Sequence, residues 1–373
     1  MKKRTNIWDG FLVVAFCLFL CGMLLLFFLL PKVHFSENEK RYLVGPPILS
    51  WEQLTSGRFS QEAETYIADH LPFRNAFVAI NAYWDLYSGR QSTKDIYVAE
   101  GARLVERPIY DTGNLEKNVA FINRFQESIG RPMDVMLVPN AGYLLEEGIL
   151  GRHDPYMDET YLAEIADGWN DGVVFYDLQR VLFQDPGAYF YRTDHHWTSA
   201  GAYAAYAHYM QMKEKEVVYE RAFDVRRTEG FHGSTYSRSA LWLIPPEDLE
   251  IWDAAARMEV YISDDDSTHD SMFFPDRLLE ADKYTVFLDG NHSLVRIHNR
   301  DGAGKGKLLL IRDSFGNSLA PFLALGYEEV VLVDLRYYKS GILPLMALEE
   351  FDDILLLYGL NNFLKDTNFA WLK

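Results

Sequence analysis

The strongest feature of the hydrophobic pattern comes first in the chain. Phe11–Leu30 is a run of twenty residues without a charge. A helix rising about 1.5 Å per residue would carry that run across about 30 Å, the hydrocarbon thickness of a bilayer. Lys2, Lys3 and Arg4 precede it. The pattern therefore predicts a single transmembrane anchor over 11–30, with residues 1–10 as a basic cytoplasmic flank and the rest outside the cytoplasm. The run ends Phe27-Phe28-Leu29-Leu30-Pro31, with no small-residue cleavage site. Signal-peptide cores are shorter, about 7–15 residues. A cleaved signal peptide is the alternative reading, and it too exports the remainder.

Residues 31–60, with Pro31, Gly45-Pro46-Pro47 and Gly57, read as a connector. Ala63, Tyr66, Ile67, His70, Ala76 and Ile80 then recur three or four apart, a helical spacing interrupted at Leu71-Pro72-Phe73. Residues 31–110 are thus expected to form a juxtamembrane and helical segment. Asn114 is expected to cap a helix over Leu115–Ile129, and Gly130 to end it. Beyond it, short apolar runs alternate with helical stretches. Strands are predicted at Val135–Val138, Val173–Tyr176, Tyr284–Leu288, Leu308–Ile311, Val330–Val333 and Ile354–Leu357, and a helix capped by Thr198 runs through Tyr209. Unbroken Leu/Val/Ile runs suit strands covered on both faces. The expected fold of residues 111–373 is α/β, with a mainly parallel central sheet flanked by helices.

Composition narrows the function. The chain has 373 residues with 36 Lys and Arg against 54 Asp and Glu, a net charge of −18. Such a surface repels phosphate backbones, so no nucleic-acid partner is expected. The two cysteines, Cys17 and Cys21, both lie in the apolar run, which leaves no disulfide framework and no Cys-based zinc site beyond it. Asp264-Asp265-Asp266 lacks calcium-loop spacing and reads as a solvated loop.

Three segments carry residue types that do chemistry. In Thr193-Asp194-His195-His196-Trp197-Thr198 a carboxylate stands beside two imidazoles, just before a predicted helix. Asp194 can orient His196 and stabilise its protonated form, with His195 as the competing base. The segment equally permits a helix-capping turn or metal ligation. The strand at Leu308 leads into Arg312-Asp313-Ser314-Phe315-Gly316-Asn317-Ser318. That is the strand-turn-helix context of a nucleophilic serine, although Ser314 and Ser318 also suit helix caps. In the third segment the strand Ile354–Leu357 runs through Tyr358 into Gly359-Leu360-Asn361-Asn362, where a side-chain amide can donate to an oxyanion or simply occupy a turn. Together they supply a nucleophile, a base, its orienter and oxyanion donors.

With these motifs the sequence resembles the DHHW family of exported bacterial proteins, through Asp194-His195-His196-Trp197. That family is similar to the SGNH-hydrolase-like domains of alginate O-acetyltransferases. The resemblance extends to Ser36-Glu37-Asn38-Glu39-Lys40-Arg41, Asp69-His70-Leu71-Pro72-Phe73-Arg74, Phe231-His232-Gly233-Ser234, Gly290-Asn291-His292 and Arg312-Asp313-Ser314-Phe315. In alginate-type enzymes the Asp-x-His pair precedes the serine, as Asp194 and His196 precede Ser314 here. The resemblance implies an SGNH-like catalytic domain with Ser314 as nucleophile, His196 as general base and acid, and Asp194 as its orienter. Asn361 and Gly359 are implied at the oxyanion, with Asn317, His195 and Trp197 expected around the substrate. It further implies a membrane-anchored, extracytoplasmic O-acetyltransferase of a cell-surface or exported polysaccharide. A membrane-bound O-acyltransferase would be the acetyl supplier, and no metal or cofactor is needed. Two departures are visible: Arg-Asp-Ser-Phe replaces the usual Gly-Asp-Ser block, and no carbohydrate-binding domain follows the catalytic part. A carbohydrate acetylesterase and a non-catalytic polysaccharide-assembly subunit are the alternatives.

Overall fold

A computed structural model describes residues 7–373. The basic flank Lys2-Lys3-Arg4 lies outside the described residues. Helix α1 (Ile7–Leu29) includes an apolar stretch, Gly10–Leu29, long enough to cross a membrane. Just past its end Lys32 donates to the Phe27 carbonyl, and its ammonium sits 3.5 Å from the Phe27 ring centroid. A cation there satisfies a terminal carbonyl and the negative end of the helix dipole.

A two-residue pair follows, β1 (Phe35–Ser36) with β2 (Arg41–Tyr42), and then α2 (Trp51–Thr55), α3 (Arg58–Asp69) and α4 (Arg74–Tyr87). Two motifs of the resemblance meet here. Arg41 grips both oxygens of the buried Asp69, at 3.0 and 2.5 Å, while Glu39 accepts from Arg41 and Arg74. This charged knot ties the first residues after α1 to the α3–α4 turn.

Next come the hairpin β3 (Ile96–Ala99) and β4 (Arg103–Glu106), α5 (Leu115–Ile129), β5 (Met133–Val138), α6 (Ala141–Leu144), α7 (Asp158–Gly168) and β6 (Val173–Asp177). Helices α8 (Gln179–Leu182), α9 (Pro186–Tyr189) and α10 (Ser199–Met212) lead to β7 (Phe223–Phe231), α11 (Ser234–Ser239) and β8 (Glu247–Ala254), with β7 and β8 paired antiparallel. The chain closes with β9 (Met258–Ile262), β10 (Ser267–His269), β11 (Leu294–Asn299), β12 (Lys307–Arg312), α12 (Phe315–Leu323), β13 (Glu329–Val333), α13 (Ile342–Leu348), β14 (Asp353–Gly359) and α14 (Leu360–Lys365).

The central sheet has eight strands in the order β10-β9-β11-β13-β12-β14-β5-β6. From β13 to β6 neighbouring strands are parallel, and β11, β9 and β10 extend the sheet antiparallel. The parallel strands are the unbroken apolar runs, because helices cover both faces. Leu308 and Leu310 of β12 join one core with α10 and α12, and Leu309 and Ile311 join the opposite core with α5, α13 and α14. Each such fully buried leucine contributes about 1.5–3 kcal/mol. The α/β fold with a mainly parallel sheet is as the sequence predicts.

Two local expectations are corrected. Tyr284–Leu288 is not a strand: Lys283–Val286 forms a 3-10 turn. Its apolar residues are buried, and its pairing is a single antiparallel bridge from Phe287 to Phe273. Asn114 occupies the cap position of α5, but its side chain does not cap. Asp111 accepts from the Asn114 and Leu115 backbone instead, and the Asn114 amide reaches the Leu364 carbonyl.

Candidate active site

Ser314 follows the central strand β12 by two residues and stands at the first turn of α12. Its position is that of a helix cap, yet its hydroxyl makes no capping bond. It meets His196 instead, with 2.8 Å between Oγ and Nε2. The other ring nitrogen of His196 lies 2.6 Å from Asp194 Oδ1, which also accepts the His196 backbone N–H at 2.9 Å. Hydroxyl, imidazole and carboxylate are thus connected in a row.

Local chain geometry explains how residues so far apart converge. Phe190 and Trp197 form an isolated antiparallel bridge, which closes a tight loop around Asp194. Glu247 clamps that loop by accepting from the backbone of Arg192 and Thr193 and from the Thr193 hydroxyl. Thr198 caps α10, its hydroxyl accepting from Gly201. On the far side Ser234 N donates to Asp194 Oδ2 at 2.6 Å. That approach requires glycine at 233, where a Cβ would lie 2.2 Å from Asp194 Cβ.

The imidazole of His196 is held on its faces as well as its edges. Tyr284 stacks on it with centroids 4.0 Å apart and planes 6° apart, and Phe315 meets it edge-on at 5.0 Å. Ser318 Oγ binds both the Trp197 indole N–H (2.8 Å) and the Tyr284 hydroxyl (2.9 Å). Asp313, fully buried, accepts from Phe315 N, Gly359 N and the Asn362 amide, locking the end of β12 to that of β14.

The electrostatics favour an ionised Asp194. Burial alone would push its carboxyl up, but the neighbouring His196 and His195, with the bond from His196, hold it well below the usual carboxylate range. Burial, followed by the adjacent His196, lowers His195 below its ordinary value. The donor atoms of Asp194, His195 and His196 lie within 4.8 Å of one another, close enough for a metal. Both ring nitrogens of His196 are nevertheless already matched to Asp194 and Ser314, the pattern of a proton relay.

A cavity of about 210 Å³ opens beside this row, lined among others by Asp194, His195, Phe315, Gly359 and Asn361. His195 is half-buried there, 2.6 Å from the Ser234 hydroxyl. Asn361 turns its amide nitrogen to Glu106 Oε2 at 2.9 Å. The Gly359 N–H is taken by Asp313. Asn317 is buried behind Ser314 and donates to Asn291 Oδ1 at 3.1 Å. Trp197 is fully buried. The expectation that Trp197 contacts substrate is therefore corrected: the indole packs under the site and fixes Ser318.

Two cavity residues were not foreseen. Asn140, just past the end of β5, accepts from Gly142 N through its side-chain oxygen, and its amide nitrogen is buried with no partner among the described residues. A buried, unpaired donor is costly unless something fills it. The signal was present in the sequence, since Pro139-Asn140 follows a strand much as Asn361 does. Glu106, at the end of β4, accepts from Arg238 at 2.6 Å and from Asn361. Burial would raise it, but His195 and Arg238 bring its carboxyl below the ordinary value. Nothing local in the sequence marks it.

Comparison with known proteins agrees with this architecture. Residues 170–333 match the family model for DHHW proteins. Residues 102–234 match that for the SGNH hydrolase-like domain of the acetyltransferase AlgX. A DHHW family protein from Eubacterium siraeum is similar in structure, with a TM-score of 0.63 and 20% identity over 75% of this chain and 95% of that one. Bacillus cereus PatB1 with a sulfonyl adduct gives a TM-score of 0.63 at 15% identity, over 75% of this chain and 99% of that one. No curated protein matches the chain. The resemblance to DHHW proteins and to SGNH-hydrolase-like acetyltransferase domains thus stands, and the fold is theirs.

Proposed function

We propose that this chain is a membrane-anchored, extracytoplasmic O-acetyltransferase that modifies a cell-surface or exported polysaccharide through an acetyl-serine intermediate. The observation that carries the reading is the 2.8 Å approach of His196 Nε2 to Ser314 Oγ, with Asp194 on the opposite ring nitrogen. Similarity to SGNH-like acetyltransferase domains supports acyl transfer as the reaction class. The apolar α1 supports anchorage.

In this mechanism His196 Nε2 takes the Ser314 proton as Oγ attacks the acetyl carbonyl. Asp194 stabilises the imidazolium that forms. The tetrahedral oxyanion accepts from the Ser314 backbone N–H, which has no acceptor among the described residues, and from the unpaired Asn140 amide. His196 returns the proton to the leaving group, which departs and leaves acetyl-Ser314. A sugar hydroxyl then gives its proton to His196 and attacks the acetyl carbon, and the proton returns to Ser314 Oγ. The acetyl donor is supplied by a membrane-bound O-acyltransferase beside the anchor.

The test is to incubate the full chain with an acetyl ester and candidate glycans, and to measure acetylated glycan against free acetate. Glycan acetylation that disappears in Ser314→Ala is expected. Acetate release unaffected by any glycan would replace the transferase by an esterase.

A further inference from the structure

We infer that the segment following α1 lies in the outer membrane–water interface, with one face of α4 immersed among lipid headgroups. Thirteen large apolar or aromatic side chains are exposed between Val33 and Tyr87, against twelve over the rest of the chain to Lys373. Exposed apolar residues scattered singly are ordinary, but a contiguous concentration marks an interaction surface.

Helix α4 shows the arrangement most clearly. Val78, Ala82, Tyr83 and Leu86 pack inward on Ile96, Leu104, Tyr236 and Leu241. Phe73, Phe77, Ile80, Trp84 and Tyr87 recur at spacings of four and three along its other side. All five are exposed, Trp84 at 69% and Tyr87 at 87%. The only charged residues on this helix are Arg74 and Asp85, both partly buried in ion pairs. A helix apolar on two sides needs a second apolar neighbour or a lipid phase.

Position identifies the neighbour as the bilayer. The chain leaves the span at Leu29, and the Phe27 ring meets Tyr66 of α3 edge-on at 6.0 Å. Leu30, Pro31 and Val33 share a cavity with Leu71, Pro72 and Phe73, so α4 begins at the depth where α1 ends. Exposed Trp and Tyr are the side chains that settle at headgroup level. Exposed apolar side chains are not confined to α4 either, since Ile48, Leu49 and Trp51 of the same segment are exposed as well. The buried side of α4 backs Leu104 and α11, which form one wall of the catalytic cavity. Immersion of its outer side therefore holds the cavity close to the bilayer. This inference does not depend on the acetyl-transfer chemistry.

The test uses the full chain in vesicles of phosphatidylethanolamine and phosphatidylglycerol. In a Cys17→Ala, Cys21→Ala background, a fluorophore is attached singly at Phe77→Cys, Trp84→Cys or Leu348→Cys. Leu348 is exposed beside Glu349, at the strand end opposite Ser314. Cys21 labelled alone in Cys17→Ala reports insertion of α1. Lipids with a headgroup-level nitroxide are expected to quench the labels at 77 and 84 several-fold more than the label at 348. Equal, weak quenching at 77, 84 and 348, with Cys21 quenched by a deep nitroxide, overturns the inference while leaving the anchor intact. Loss of quenching at Cys21 and at 84 together overturns both. Quenching at 77 and 84 that depends on a second labelled copy rather than on lipid assigns the face to a dimer and overturns it as well.

Discussion

The phenol ring of Tyr284 lies flat on the imidazole of His196, 4.0 Å between centroids, and its hydroxyl shares a hydrogen bond with that of Ser318 in the first turns of α12. The residue that supports the base is thereby tied to the helix that begins at the nucleophile. Tyr284→Phe keeps the stack and loses one hydrogen bond, so turnover of an acetyl ester should fall only a few-fold. Tyr284→Ala removes the support and should lower kcat by about 10²-fold, the scale of a misplacement near 1 Å. Comparable kcat in the two variants would show that the stack has no positioning role.

Asp194→Asn keeps the size of the side chain, removes the charge facing His196 and leaves one oxygen to accept where two accept now. A loss in kcat approaching 10⁴-fold is expected, with circular dichroism unchanged. The same carboxyl sets an acid limit on stability. Its folded pKa is depressed, so its contribution is present above the unfolded value of about 3.9 and lost as pH falls through the lower folded value. Urea midpoints should therefore drop more steeply below about pH 4 in the wild type than in Asp194→Asn. Parallel curves would contradict the assignment.

Asp158 gives the opposite slope. Burial pushes its carboxyl up to about 7, while it accepts from the Asn140 backbone at 2.7 Å. A raised carboxylate favours the protonated fold, so stability should decline as pH rises from the ordinary carboxylate range through about 7. Asp158→Asn should flatten that decline in urea titrations at pH values on either side. A decline that persists in the variant belongs to another group.

Asn140 and Asn361 separate two amides that look alike in sequence. The unpaired Asn140 nitrogen is the proposed oxyanion donor, and Asn140→Ala should cost about 10²–10³ in kcat with little change in KM. Asn361 is engaged by Glu106, so Asn361→Ala should cost less. A larger loss at Asn361 would return the donor role to that residue.

These cases show where sequence is informative. Leu308–Ile311, Val330–Val333 and Ile354–Leu357 are legible because strands covered on both faces need unbroken apolar runs. Strands β9 and β11 alternate instead, as Leu294-Val295-Arg296-Ile297-His298 does, and pass for polar loop when the partner is unknown. Tyr284–Leu288 misleads in the other direction, because a loop buried by its side chains has the composition of a strand. Asp194, His196 and Ser314 are legible as chemistry in turns at element ends. Whether an amide is satisfied, as at Asn361, or left open, as at Asn140, depends on partners brought from elsewhere in the chain.

The most direct measurement is peptide-resolved mass spectrometry of the full chain after brief exposure to an activated acetyl ester. One acetyl group on Ser314, absent in His196→Ala and discharged when an accepting glycan is added, is the predicted result. A chain that stays unmodified at Ser314 under conditions where the ester is consumed, or that is acetylated at Ser314 equally well without His196, would contradict it.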